Sequence, residues 1–285
     1  VTYLSISDTV WLITGCSTGL GRALAEATLA AGARVAVTAR DSSSVAELVA
    51  QYPGRALALN LDVTRSAEVR DAVDECSNTF GHVDVLVNNA GYGYIAAVEE
   101  GVREEVGTLF DTNFFGPANL IQAVLPIMRS RRSGHIINIT SIRGLAGGGG
   151  SGYYSATKFA LEGLTESLRE EVAEFGIEVT AVSPGAFRTD WAGRSLRRST
   201  RTIKHYTQGA ENRYETISKR DGTQAGDPDA AAQAIIALVR SDNAPGHLLL
   251  GTAAMTTMRK KMAELANEID AWESISRGTD FSSDE

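Results

Sequence analysis

Through the first 185 positions, short runs of β-branched and aliphatic residues alternate with longer segments of helical period. The apolar runs Val10–Thr14, Arg34–Thr38, Ala56–Asn60, Val83–Val87, His135–Thr140 and Ile177–Val182 predict strands. Between them the 3.6-residue spacing predicts helices over Leu20–Ala31, Val45–Gln51, Ala67–Phe80 and Tyr153–Phe175, and one interrupted near Gly116-Pro117. Such alternation predicts an α/β fold, a doubly wound parallel sheet with helices on both faces.

After Pro184-Gly185 the pattern breaks, and residues 187–227 are polar with weak periodicity, which reads as a lid. Asp227-Pro228 then caps and opens a helix over Ala230–Val239, His247–Leu250 is a last strand, and 252–273 form an amphipathic helix. That helix carries Met255, Met258, Met262 and Leu265 on one side, the pattern of a core or subunit contact. The expected organisation is one domain over 1–275 with a flexible polar tail at 276–285.

Composition narrows the function classes. With 43% apolar residues and 285 positions there is material for a large core, so a disordered chain is excluded. The balance 27 − 35 = −8 repels nucleic acid and anionic lipid at long range. Neither an apolar run of membrane-spanning length nor a basic-then-apolar leader pattern occurs, and the expectation is a cytoplasmic protein without membrane or nucleic-acid partners. Two cysteines sixty residues apart and four dispersed histidines predict neither a disulfide framework nor a metal site.

The first strand runs into Thr14-Gly15-Cys16-Ser17-Thr18-Gly19-Leu20-Gly21 and a helix follows at once. Glycines let a phosphate approach the backbone while amides at the helix start point toward it, so this turn is a candidate pyrophosphate cradle. A tight turn with no ligand is the alternative reading of this segment alone. Asn88-Asn89-Ala90-Gly91 follows the fourth strand, where a doubly wound sheet reverses direction and ligands bind. Tyr154 and Lys158 lie one helical turn apart on one face, Ser141 ends the fifth strand, and Asn113 sits in the interrupted helix.

Together these motifs resemble the short-chain dehydrogenase/reductase family over roughly Val10–Thr189, in its Thr-Gly-x-x-x-Gly-x-Gly, Asn-Asn-Ala-Gly, Tyr-x-x-x-Lys and Pro-Gly group. Within it the layout is most similar to bacterial members related to 17β-hydroxysteroid dehydrogenases. The resemblance implies a Rossmann-like fold and a homodimer or homotetramer, paired through the helices after the fourth and fifth strands. It also implies that Tyr154 exchanges a proton with the substrate oxygen, Lys158 holds the nicotinamide ribose, Ser141 bonds the substrate oxygen, and Asn113 holds a water on the proton path. Bringing a tyrosine from about 10 to about 7 needs roughly 4 kcal/mol, and an ammonium about 4 Å away supplies roughly that much. Tyr153 points about 100° away from Tyr154 around the helix and reads as packing or pocket lining.

For the cofactor, the resemblance implies contacts from Gly15, Ser17, Thr18, Gly19, Leu20, Gly21, Asn89, Ala90, Gly91, Tyr154, Lys158, Pro184, Gly185 and Thr189, with Asp62 and Val63 at the adenine. The acidic position that binds the ribose hydroxyls of NAD is filled by Ala39, and Arg40 follows, a pattern similar to NADP-preferring members. Thr18 is neutral where some NADP-dependent relatives carry a second base, so NAD remains the weaker alternative. Tyr92, Tyr94, Arg143, Phe187 and Trp191 are candidate substrate-lining residues.

The expected activity is hydride transfer between NADP(H) and a secondary alcohol/ketone pair. A steroid or fatty-acyl thioester ketoreductase and an idle dinucleotide-binding sensor are the alternatives. The five bases of Arg194–Lys204 read as a solvated lid face or as attraction for an anionic substrate.

Overall fold

The computed structural model describes residues 5–206 and 210–281. The last four positions of the expected flexible tail, 282–285, lie outside them. Seven strands form one parallel sheet: β1 (Val10–Ile13), β2 (Arg34–Ala39), β3 (Ala56–Asn60), β4 (Val85–Asn88), β6 (Gly134–Ile139), β7 (Ile177–Pro184) and β9 (His247–Leu250). Their order, β3-β2-β1-β4-β6-β7-β9, reverses at β1, as a doubly wound sheet requires.

Both faces of this sheet are buried, which is why its strands are apolar without alternation. Along β1, Trp11 and Ile13 pack on one face with residues of α1 (Gly19–Ala30) and α8 (Pro228–Val239). Val10 and Leu12 pack on the other with residues of α3 (Ser66–Phe80), α5 (Gly116–Arg131) and α6 (Gly152–Val172). Asp227 caps α8 as its sequence indicates, its carboxylate accepting from the Asp229 amide at 2.9 Å. The short α2 (Ala46–Ala50) precedes β3.

The interrupted helix resolves into α4 (Arg103–Phe110), a π turn over Asp111–Phe115, and α5. Pro117 has no N–H, so the carbonyl of Asn113 lacks its helical donor four residues on, and the chain widens by one residue there.

Residues 187–227 hold more regular structure than their weak periodicity suggests. β8 (Leu196–Arg198) pairs in parallel with β5 (Gly93–Ile95), and α7 (Asn212–Lys219) follows. Neither three-residue strand was visible in the pattern of the sequence. The last helix, α9, runs Thr252–Arg277, four residues beyond its expected end. Among the described residues no helix is long and apolar enough to cross a membrane, and no cluster of three metal-binding side chains occurs.

Candidate active site

The carboxyl ends of β1 and β4 meet at the switch point and hold the glycine-rich turn between them. Gly15 and Gly19 take φ of 70° and 64°, a conformation that disfavours any side chain. A Cβ on Gly21 would lie 2.3 Å from Nδ2 of Asn89, so that glycine is fixed by close approach instead. Asn89 braces the turn: its Nδ2 donates to the carbonyls of Thr14 (2.8 Å) and Gly15 (3.1 Å), and the Asn89 and Ala90 amides donate to Thr14 Oγ1, each at 2.9 Å.

α1 starts with Thr18 at its N-cap and no side-chain cap bond, which leaves the first-turn amides for an anion. Thr189 covers Gly19, its Cβ 3.4 Å from where a Cβ on that glycine would stand. Arg194 reaches across from the lid and donates to Ser17 Oγ at 3.2 Å and Thr18 Oγ1 at 2.7 Å. Cys16 is buried inside the turn, its Sγ donating to the Ile13 carbonyl, and burial pushes its thiol up to about 12.

Arg40 is exposed just past β2 while Ala39 is buried, and its charge, after that of Arg65, adds to the Thr64 hydrogen bonds that hold the Asp62 carboxyl below the usual range. Burial opposes that shift, but Thr64 outweighs it by donating its amide (3.0 Å) and hydroxyl (2.7 Å) to Asp62 Oδ1. Val63 abuts Gly116, where a Cβ would come within 2.7 Å of its side chain. At the end of β7, Pro184 is followed by Gly185, whose amide donates to the Leu250 carbonyl at 2.9 Å.

Ser141, Tyr154 and Lys158 are brought together where β6 ends against the first turns of α6, all three buried. Burial pushes the Tyr154 phenol up to about 12, against the pull of a Ser141 hydrogen bond and the Arg143 guanidinium. Lys158 is also desolvated, which lowers its ammonium to about 8 against the opposing charge of Glu162. Its Nζ donates to the Ile139 carbonyl at 2.9 Å. Arg143 is thus a charge that favours the phenolate, while the Lys158 ammonium donates to the strand end.

Asn113 and Lys158 enclose Gly91, where a Cβ would stand 3.1 Å from Asn113 Oδ1 and 3.6 Å from Lys158 Nζ. Asn113 clamps the backbone of Tyr92: Oδ1 accepts from its amide (3.0 Å), and Nδ2 donates to its carbonyl (2.9 Å) and to Thr157 Oγ1 (3.2 Å).

Trp191 lies 5.7 Å from Tyr154, ring centroid to centroid, and closes over it from the lid. The Tyr92 ring is covered by Arg197 at 4.4 Å. Arg143 lies beside the site, its amide donating to Ser141 Oγ at 3.1 Å and its guanidinium to the Gly147 carbonyl at 3.0 Å. Two candidate substrate residues are directed elsewhere. Tyr94 is buried with its hydroxyl donating to Glu105 Oε2 at 2.6 Å, and Phe187 packs on Gly226 beside the sheet core. Tyr153 likewise turns away, donating its hydroxyl to the Val98 carbonyl at 2.7 Å.

One residue missed in the sequence is Glu162, buried a turn beyond Lys158. It accepts hydroxyls from Thr140 (2.5 Å) and Ser183 (2.8 Å) and pairs with His247 at 3.1 Å. Its spacing of four from Lys158 was the available signal.

A phosphate-ready turn opposite a buried Ser–Tyr–Lys group on a doubly wound sheet defines the class of dinucleotide-dependent oxidoreductases. A sequence profile described as short chain dehydrogenase matches residues 9–199, and the chain belongs to the short-chain dehydrogenase/reductase family. A solved short-chain dehydrogenase from Streptomyces avermitilis is similar at 42% identity and a TM-score of 0.89, over 95% of this chain and 100% of that one. The 3-ketodihydrosphingosine reductase of Bacteroides thetaiotaomicron is 37% identical over 90% of this chain and 93% of its own length. ElxO, solved with NADP bound, shares 28% identity and a TM-score of 0.72 over 87% of this chain and 99% of that one.

Proposed function

We propose that this oxidoreductase is an NADPH-dependent carbonyl reductase acting on a ketone to give a secondary alcohol, with Tyr154 as the general acid. The observation that carries this reading is the buried Ser141–Tyr154–Lys158 group beside the phosphate-ready turn. Burial keeps the phenol protonated at neutral pH, the state needed to donate to a substrate oxygen. When bound, the nicotinamide supplies hydride chemistry at the carbonyl carbon. Ser141 would position the substrate oxygen and Lys158 would hold the nicotinamide ribose, while the Asn113 clamp fixes the Tyr92 backbone. Gly15, Gly19 and Gly21 would hold the pyrophosphate against the start of α1.

A long-chain ketone is the second reading. It is favoured by the likeness to a reductase of 3-ketodihydrosphingosine and by Trp191 over the tyrosine. A relation to 17β-hydroxysteroid dehydrogenases belongs with it, since both demand an apolar cleft. Oxidation of NADPH across ketones, acyl thioesters, steroids and long-chain 3-keto amino alcohols is the test. Turnover of none of them, with NADPH bound, would leave the idle sensor.

Arg40 supports NADPH over NADH. A charge-assisted contact with the 2′-phosphate contributes about 1.5 to 3 kcal/mol, roughly ten- to a hundredfold in affinity, less in high salt. Arg40→Ala should erase most of the preference, and Ala39→Asp with Arg40→Ala should turn it toward NADH. Fluorescence titration of both dinucleotides decides: equal affinities in the unmodified protein would reduce Arg40 to a solvated charge. The proposed assembly is a homo-oligomer through α5 and α6, where Phe115, just before α5, and Phe159 are 50% and 45% exposed.

A further inference from the structure

The last helix leaves the body of the protein. Ala254 is its one buried residue, its beginning packs on β9 and the turn Ile142–Gly144, and every position from 262 to 277 is exposed. At 1.5 Å per residue its 26 residues span about 39 Å.

This exposed rod is not uniformly polar. Met255, Met258, Met262, Leu265, Ile269 and Trp272 recur at alternating spacings of three and four, the heptad seam of a coiled coil. Trp272 is 61% exposed, Ile269 60% and Met262 59%, so the seam faces solvent. At about 100 Å² for each large side chain the stripe offers roughly 600 Å² of apolar surface, near the upper end for a monomer. Two such stripes face to face would bury about 1,200 Å², within the range of a specific interface.

Charge chooses the partner and its direction. Arg259, Lys260 and Lys261 outweigh Glu264 in the first half of the helix, and Glu268, Asp270 and Glu273 outweigh Arg277 in the second. Parallel copies would set like charges side by side, whereas antiparallel copies set each basic half against an acidic one. The acidic half equally disfavours an anionic membrane. We infer that α9 is a self-association element, pairing antiparallel with α9 of a second copy of this chain. Met262 of one copy then lies beside Leu265 of the other, and Lys261 faces Glu268 twice by symmetry. This contact is separate from the proposed α5–α6 face and stands whether or not the reductase reading does.

The test is the mass of the full chain by sedimentation at micromolar concentration. Leu265→Glu with Ile269→Glu places carboxylates in the seam and should weaken association a hundredfold or more, halving the assembly's mass. NADPH affinity should stay unchanged, because both positions are exposed and far along the rod. Lys261→Glu alone should weaken association by roughly threefold to tenfold, and Lys261→Glu with Glu268→Lys should restore it. A monomeric unmodified chain, or an unchanged mass in the Leu265 and Ile269 variant, would overturn the inference. Failure of the charge swap to restore association would overturn the antiparallel arrangement. Binding of the unmodified chain to phosphatidylglycerol vesicles with no self-association would put a membrane in place of the second copy. Phe159→Glu reads the α5–α6 face separately.

Discussion

Replacing Tyr154 by Phe should lower turnover about a hundredfold or more while leaving NADPH affinity within a factor of about two, the usual scale for losing a positioned proton donor. The change removes one oxygen from a buried ring that packs against Trp191, so the fold and the dinucleotide turn are untouched. Tyr153→Phe is the matched control. It removes a hydroxyl bonded to the Val98 carbonyl on the other side of the helix, and turnover should stay near normal. Steady-state rates with saturating NADPH, alongside fluorescence titration of the dinucleotide, check both. Equal rates for Tyr154→Phe and the unmodified enzyme would remove the phenol from the mechanism.

A second large effect is expected in stability against acid. His135 starts the central part of β6, is buried, and shares a hydrogen bond at 3.0 Å with Thr180 Oγ1. Burial lowers its ring from an ordinary 6.5 to about 4. The Glu178 carboxylate 3.6 Å away would favour the charged ring, but it is itself 44% exposed and the desolvation is the larger effect. A group whose folded value is depressed contributes stability above its unfolded value, here pH 6.5. That contribution is lost as pH falls toward 4, because only the unfolded chain then takes up the proton. At 1.36 kcal/mol per pH unit the loss amounts to about 3 kcal/mol. Urea unfolding at pH 7, 5.5 and 4.5 should show the decline in the unmodified protein and a shallower one in His135→Gln. Parallel declines would mean other groups drive the acid sensitivity.

Much of this was legible in the chain because the relevant physics is local. Fully buried parallel strands must be apolar without alternation, and the glycines of the turn are demanded by positive φ at 15 and 19 and close approach at 21. The β5–β8 pair was not legible: Gly93–Ile95 and Leu196–Arg198 are too short for periodicity and join only because the tertiary fold sets segments a hundred residues apart side by side. The helix interruption was visible at Gly116-Pro117, yet its π turn lies just ahead, because proline withdraws a donor from the residue four before it. The basic run of the lid reads as a solvated face or as attraction for an anionic substrate. In the fold Arg194 crosses to the phosphate turn, Arg197 covers Tyr92, and Arg198 pairs with Glu211 at 3.4 Å. Which of Tyr92, Tyr94, Phe187 and Trp191 faces Tyr154 likewise depends on loop paths that no spacing rule encodes.

Three of the four methionines lie on the seam of α9, with Met262 59% and Met255 44% exposed, while Met128 is fully buried. Peroxide converts an exposed thioether to a sulfoxide, turning an apolar contact into a polar one. The cysteine within the dinucleotide turn resists the same reagent, since a buried thiol held near 12 yields almost no thiolate. Mild oxidation of the separated chain should therefore strike the proposed α9 contact, and so oppose pairing, before it reaches the chemistry of the cleft, and methionine sulfoxide reductases could reverse it.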